Sequence, residues 1–308
     1  MISVVFPVYN EEYNVAELHR RLKEVLVTLG EPYEIIAVDD GSSDRTREVL
    51  ETLRPVTIVA LTRNYGQNAA LDAGIHHARG DIIITIDSDL QNPPEEISKL
   101  WHLLQKGYDV VIGWRRNRHD SAARRIFSRL ANTLVARATG VRVHDFSCAL
   151  KCYRREFIEG VRLLGETFIF LPVFAHAKGA RIGEVEIRHE ERKRGASKHG
   201  IMEMSNVFFD LISVKFLLDY FLRPMRFFGR ISFVVFLLAL VSFGWAGFLK
   251  IAEIQNLSDT PLPLIGVMGM VLSSLLFILG FLAEILLRIY HMSQSSTPYS
   301  IKEVIEYS

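Results

Sequence analysis

Apolar and polar positions alternate over the first 114 residues in blocks of two kinds. Ile2 to Phe6, Glu34 to Val38, Thr57 to Leu61, Ile82 to Ile86 and Val110 to Ile112 have the length and apolar content of buried strands. Between them, Asn14 to Leu29, Asp44 to Leu53, Gln67 to Ala78 and Pro94 to Lys106 read as amphipathic helices. Such alternation predicts an α/β domain, a mostly parallel sheet covered by helices, with ligands expected beyond the carboxyl ends of the strands. After Trp114 the pattern is mixed. An arginine-rich stretch from Ser121 to Ala138 reads as helix, and Ser147 to Tyr153 and Ile182 to His189 read as strands. Met202 to Leu222 reads as a helix whose Phe208, Phe209, Phe216 and Phe221 suit either the headgroup region of a bilayer or an ordinary core.

Two further stretches are apolar all round. No charge interrupts Ile231 to Leu249 or Leu262 to Ala283. At about 1.5 Å per residue the first reaches about 28 Å, the thickness of a bilayer's hydrocarbon core, so both read as transmembrane helices. Arg223, Arg226 and Arg230 precede the first and Arg288 follows the second, whereas the connection from Lys250 to Pro261 carries one lysine against Glu253 and Asp259. Cations on the inner side predict a multi-pass protein of the cell's inner membrane, with the N-terminal part and the tail from Tyr290 cytoplasmic. Ile2 to Phe6 reads as a strand and not as a cleavable signal.

Composition adds little until it is localised. The 308 residues are 49% hydrophobic and 23% charged with a formal net charge of +1, which gives no reason to expect a nucleic-acid partner. Cations gather at Arg115, Arg116, Arg118, Arg124, Arg125 and Arg129, and again at Arg188, Arg192, Lys193, Arg194 and Lys198. Cys148 and Cys152 are not spaced as a CxxC pair and are expected to be reduced strand residues without a redox or metal role.

The candidate chemistry sits in the polar segments that follow the strands. Asp87-Ser88-Asp89 closes the fourth strand, and side-chain alternation puts Asp87 and Asp89 on one side, with Gln91 in step. Two carboxylates and a carboxamide suit a hard divalent cation, Mg²⁺ or Mn²⁺, which takes its remaining oxygens from water and a phosphorylated substrate. The same residue types also end strands and open helices, and Asp44 ahead of Arg45 is expected to do only that, as a helix cap.

Five motifs in order, Val5-Phe6-Pro7-Val8-Tyr9-Asn10-Glu11, Val38-Asp39-Asp40-Gly41-Ser42-Ser43-Asp44, Arg63-Asn64-Tyr65-Gly66-Gln67, Asp87 to Glu96 and Arg192-Lys193-Arg194-Gly195-Ala196-Ser197-Lys198, together resemble a polyprenyl-phosphate glycosyltransferase of the GT-A, family-two type. With the apolar hairpin the resemblance covers nearly the whole chain and leans toward the undecaprenyl-phosphate aminoarabinose transferase branch. It implies a GT-A (nucleotide-diphospho-sugar transferase, Rossmann-like) domain over residues 1–200, an amphipathic juxtamembrane helix region over 201–229, two transmembrane helices over 230–289 and a cytoplasmic tail over 290–308.

By the same resemblance, Pro7, Tyr9, Glu11 and Asp40 hold the nucleotide, joined by Asp87, Ser88 and Ser197 on the nucleotide sugar, while Asp87, Asp89 and Gln91 hold the metal. Arg192 and Lys198 neutralise the diphosphate, and Arg115, Arg118 and Arg124 receive the acceptor phosphate, for which arginine's planar fork is well shaped. Catalytic roles fall to Asp89, Arg192, Lys198 and Asp145, the last either a catalytic carboxylate, a sugar-hydroxyl ligand or an arginine's partner. The implied reaction is inverting transfer from a nucleotide sugar, UDP-linked in preference to GDP-mannose, to a polyprenyl phosphate, in a homo-oligomer that is tetrameric in relatives. A processive polysaccharide synthase would carry more membrane helices and a QxxRW-like motif, and a non-catalytic scaffold would have no need of intact Asp87, Asp89, Arg192 and Lys198.

Overall fold

The computed structural model describes residues 1–116, 136, 140–161, 167–190, 224–292 and 298–307. The chain divides into two compact units, Met1–Leu211 with Thr297–Ser308, and Ile212–Ser296.

The first unit is an eight-stranded sheet flanked by helices. In chain order its elements are β1 (Ile2–Val8), α1 (Val15–Leu29), β2 (Tyr33–Asp39), α2 (Thr46–Glu51), β3 (Val56–Leu61), α3 (Gln67–His77), β4 (Ile82–Thr85), α4 (Ile97–Gln105), β5 (Val110–Trp114), β6 (Lys151–Arg154), α5 (Arg155–Ile158), α6 (Leu171–Ala177) and β7 (Ile182–Glu186). The segmentation read from the sequence holds closely up to β5, because each strand there is a local apolar run and each long helix has a local amphipathic period. α1 illustrates the period: Val15, Leu18, Leu22, Val25 and Leu26 are buried, and the charged positions between them face outward.

Strand order across the sheet is β7-β5-β6-β4-β1-β2-β3-β8. β4, β1, β2 and β3 are mutually parallel, and β5 runs parallel to β7. β6 lies between β4 and β5 and is antiparallel to both, which aligns β5 with β4. Six strands therefore send their carboxyl ends to one edge, and β6 starts from it.

Two expectations change in the fold. Cys148 precedes β6 in a turn, and Cys152 alone is a strand residue; both are free, buried thiols that burial pushes up to about 12. The segment expected as a tail does not stay apart. Residues Ile301–Tyr307 form β8, antiparallel to β3 on the edge of the sheet, with register from Val56↔Tyr307 to Leu61↔Ile301. Its charged positions found partners that a local reading cannot supply: Glu303 pairs with Arg47 at 3.1 Å and Glu306 with Arg79 at 3.2 Å. The helix read over Ser121 to Ala138 and the one over Met202 to Leu222 lie almost wholly outside the described residues.

The second unit is a pair of apolar helices, α7 (Pro224–Ile251) and α8 (Leu262–Met292). Spans Met225–Ile251 and Leu262–Leu286, with mean hydropathy 2.2 and 2.4, are long and apolar enough to cross a membrane. Large side chains such as Val241, Met268 and Leu286 stay about two-thirds exposed, which water penalises and lipid does not. Small residues bring the helices together: a Cβ on Gly269 would stand 2.9 Å from that of Ala239. Ser232 and Ser273 meet across the same seam with their hydroxyl oxygens 3.1 Å apart, each hydroxyl within hydrogen-bond reach of the other's carbonyl at 2.9 and 3.0 Å.

Candidate active site

The loops after β1, β2, β3 and β4 meet at the shared carboxyl edge, and hydrogen bonds stitch them together. Asn10, at φ 55°, accepts the Ser43 N–H at 2.8 Å and the Asp44 N–H at 3.4 Å through its side-chain oxygen. Glu11 N–H donates to Thr46 at 2.8 Å, and the Glu11 carboxylate holds Asn14 at 2.6 Å. Asp44 accepts the Thr46 N–H at 2.9 Å from one residue outside the helix cap, which is Arg45 and not Asp44 as expected. Gly41, at φ 70°, lies against Arg63 so closely that a Cβ would meet the Arg63 carbonyl carbon at 2.6 Å. Only glycine permits that approach and that conformation together.

Asp40 sits between the second and third loops. Its carboxylate is buried and accepts the Tyr65 N–H at 2.7 Å and the Gly66 N–H at 2.9 Å, one on each oxygen. Burial pushes the acid upward, and the two N–H donors draw it back down. The group expected to hold the nucleotide is thus first of all the anchor of the Tyr65–Gly66 turn. Pro7 is a buried member of β1 beside Val38, and Tyr9 and Glu11 follow on the loop after it.

At the end of β4, Asp87 and Asp89 are half-buried and close enough to act on each other's charge. Burial, and then Asp89, push Asp87 up to about 7; Arg115, Lys151 and a 2.6 Å hydrogen bond from Gln67 oppose the shift. Asp89 accepts the Gln91 N–H at 3.1 Å. Between them Ser88 is buried, and Leu90 takes φ 62°, a conformation that costs a leucine about 1 kcal/mol or more and is held here by burial of its side chain. Among the described residues no cluster of three or more His, Cys, Asp or Glu has metal-binding geometry. The donor set nonetheless fits a hard cation that keeps open positions: two neighbouring carboxylates, one of them driven toward its neutral form by burial and then by the other, gain from a divalent charge beside them.

Arg115 follows β5 onto the same edge. It grips Asp145 through Nε at 2.7 Å and Nη2 at 3.0 Å, and Nη2 also donates to Ser147 at 2.9 Å. Ser147 in turn donates to Asp145 at 2.9 Å. Glu184 fixes this corner from β7 by accepting the His144 N–H at 2.8 Å and the Asp145 N–H at 3.0 Å, and His144 stacks on Trp114 with centroids 4.3 Å apart. Of the three roles named for Asp145, the ion pair with an arginine is the one this geometry shows directly.

Arg118, Arg124, Arg192, Ser197 and Lys198 lie outside the described residues. The chain leading to Arg192 is described as far as Glu190, whose N–H donates to the Gln91 carbonyl at 2.8 Å. Arg188 of the second cationic cluster is paired with buried Glu96 at 2.7 Å. That ion pair and the Gln91 bond hold Arg188 and Glu190 against the segment that follows β4.

Lys151 went unnoticed in the sequence. Its side chain is fully buried, with Nζ donating to the Phe168 carbonyl at 3.3 Å and lying 4.3 Å from the centre of that ring. It pairs in register with Thr85, two residues before Asp87, and burial lowers its ammonium to about 8. A lysine amid apolar neighbours in Ala149-Leu150-Lys151-Cys152-Tyr153 was the available signal.

In comparison with known proteins, residues 3–162 match the family described as glycosyl transferase family 2. The chain belongs to that family. It is 37% identical over 314 residues to the dodecaprenyl-phosphate galacturonate synthase of Rhizobium johnstonii, covering 99% of this chain and 93% of the relative. It is 41% identical over 289 residues to the undecaprenyl-phosphate 4-deoxy-4-formamido-L-arabinose transferase of Pseudomonas paraeruginosa, covering 87% and 84%. These relatives match the branch that the motifs resemble, and they make the chain a glycosyltransferase. In fold it is similar to the glucosyl-3-phosphoglycerate synthase of Mycobacterium tuberculosis, solved with Mn²⁺, uridine diphosphate and phosphoglyceric acid, with TM-score 0.54 at 22% identity over 70% of this chain and 77% of that one. The sheet with its helices is accordingly a GT-A domain.

Proposed function

We propose that this glycosyltransferase moves a sugar from a nucleotide sugar, UDP-linked in preference to GDP-linked, onto a polyprenyl phosphate at the inner face of a membrane, with inversion and with Mg²⁺ or Mn²⁺. The observation that carries the reading is the convergence, on one sheet edge, of the neighbouring carboxylates Asp87 and Asp89 with Arg115 from β5. Relatives named for polyprenyl-phosphate transfer support the acceptor.

The loops of β1 and β2, with Pro7, Tyr9, Glu11 and the turn anchored by Asp40, would seat the nucleoside. Asp87, Asp89 and Gln91 would hold the cation, which when bound supplies positive charge to the diphosphate. Ser88 and Ser197 would face the sugar nucleotide, and Arg192 and Lys198 would neutralise what remains of the diphosphate charge as it departs. An acceptor phosphate oxygen forms the new bond to the anomeric carbon while the bond from that carbon to the diphosphate oxygen breaks, and the nucleoside diphosphate leaves with the electron pair. The phosphate is already ionised at neutral pH, so no base is required. With its oxygens taken by Arg115 and Ser147, Asp145 would serve to aim Arg115 at the acceptor, a phosphate that Arg118 and Arg124 would also receive.

Orientation follows from connectivity. Because β8 belongs to the same folded unit as β1–β7, the chain before α7 and the chain after α8 share one side of any membrane that the helices cross. Arg226 and Arg230 at the start of α7 favour the cytoplasmic side.

The test is a panel of UDP-sugars and GDP-mannose offered with undecaprenyl phosphate and Mg²⁺ or Mn²⁺, read by the mass of the lipid product. One UDP-sugar is expected to give a sugar-phosphate lipid. Absence of transfer from every donor would overturn the proposal.

A further inference from the structure

After the apolar hairpin the chain rejoins the sheet at its functional edge. Since β8 is antiparallel to β3, its first residues lie beside the last residues of β3, where the loop from Thr62 to Gln67 begins. Tyr299 is buried there, and its hydroxyl donates to the carboxylate of Asp72 in α3 at 2.9 Å; Asp72 is enclosed as well. The Ser300 carbonyl accepts the Thr62 N–H at 3.0 Å, and Thr62 Oγ1 in turn meets the Tyr65 hydroxyl at 3.0 Å.

This loop has little else to order it. Thr62, Arg63, Asn64 and Gln67 are exposed, and Tyr65 and Gly66 are half-buried, so apolar burial contributes little and hydrogen bonds carry the local stability. Those bonds run in two directions, to β8 on one side and to the site on the other. The site-facing ones are the Tyr65 and Gly66 N–H groups on Asp40 and the Gln67 side chain on Asp87. Gln67 also opens α3, the helix that Tyr299 grips through Asp72.

We infer that Tyr299 is a positioning residue for the nucleotide site: with Ser300 it ties α3 and the Thr62–Gln67 loop to a strand that follows the membrane hairpin, and so holds in place the donors that orient Asp40 and Asp87. The inference rests on the reading of this edge as a nucleotide site. It makes donor binding depend on a segment more than 200 residues away in the chain, on the far side of the hairpin.

Tyr299→Phe in the full-length protein removes the hydroxyl and keeps the ring. Two measurements decide the matter: amide hydrogen exchange over residues 62–67, and the Kd for UDP in the presence of Mn²⁺. Loss of one buried hydrogen bond is expected to speed that exchange and to weaken UDP binding about three- to tenfold, with the KM for undecaprenyl phosphate unchanged. Val25→Ala on α1, which lowers the melting temperature without touching this network, is expected to leave UDP binding and exchange at 62–67 as in wild type. Wild-type UDP affinity in Tyr299→Phe, or an equal loss in Val25→Ala, would overturn the inference. Failure of the wild type itself to bind UDP would remove the nucleotide reading; exchange at 62–67 alone would then support or overturn the positioning role.

Discussion

Asp40 and Asp87 end strands on either side of β1, and burial raises both acids, yet their surroundings treat the charge in opposite ways. Around Asp40 the protein supplies what an ionised carboxylate needs, two N–H donors within 2.9 Å. Around Asp87 it adds a second carboxylate, and a single carboxamide bond at 2.6 Å with two more distant cations does not offset it. The difference sets a self-satisfied scaffold group apart from the centre at which we propose the reaction. A self-satisfied charge rigidifies a loop, whereas an unsatisfied pair is kept at a cost in stability and is repaired when a cation and an anionic substrate arrive.

The contrast is most severely tested by Asp89→Ala. Transfer is expected to fall at least about a hundredfold, with the melting temperature unchanged or raised, because one of two repelling charges is removed. Chelation by EDTA should mimic the loss in wild type, and added Mg²⁺ or Mn²⁺ should reverse it; lipid product formed at the wild-type rate by the variant would break the comparison.

Lys151 sharpens it through pH. Its ammonium titrates at about 8 when folded and at 10.5 when unfolded, so between those values the unfolded chain binds more protons and stability rises with pH, by on the order of 3 kcal/mol. The thiols of Cys148 and Cys152 act in the opposite sense above pH 9, since folding holds their protons on up to about 12. Thermal melts of wild type and Lys151→Met at pH 7.5 and pH 10 isolate the lysine. The variant's advantage should shrink as pH rises, and a gap independent of pH would show that the buried ammonium costs nothing.

Asp40→Asn probes the satisfied side. The amide turns an NH₂ toward a backbone N–H, which is expected to cost about 1–3 kcal/mol of stability and to weaken UDP binding, with Mn²⁺ affinity unchanged. Denaturant titration and calorimetry check both halves. The smallest effect belongs to Ser273→Ala in the hairpin, where loss of the Ser232 bond is expected to cost about 0.6 kcal/mol and to leave transfer at the wild-type rate.

How much of this was legible in the sequence depends on the range of the interaction. Strands such as Ile82–Thr85 and helices such as α1 declare themselves by their own period, and the Asp87–Asp89 corner by alternation at a strand end. The Asp40 anchor did not, because its partners are the backbone of Tyr65 and Gly66, 25 and 26 residues away, and backbone donors leave no mark in residue types. Lys151 was missed for a related reason: a lone lysine in an apolar run looks the same whether it is buried or snorkels to water.

The amino-acid pattern by itself determined an α/β domain, the two apolar helices and the family to which the strand-end motifs point, because strand, helix and motif are written in residues near one another in sequence. Tertiary structure alone decided that β6 runs against its neighbours and brings Lys151 to the edge, that Arg115 and Asp145 engage each other, and that the chain after the hairpin becomes β8. The physical reason is that strand pairing and charge pairing satisfy groups wherever the fold happens to deliver them. Ile301–Tyr307 reads as a charged tail until Arg47 and Arg79 stand opposite Glu303 and Glu306, and only then does it become an edge of the sheet.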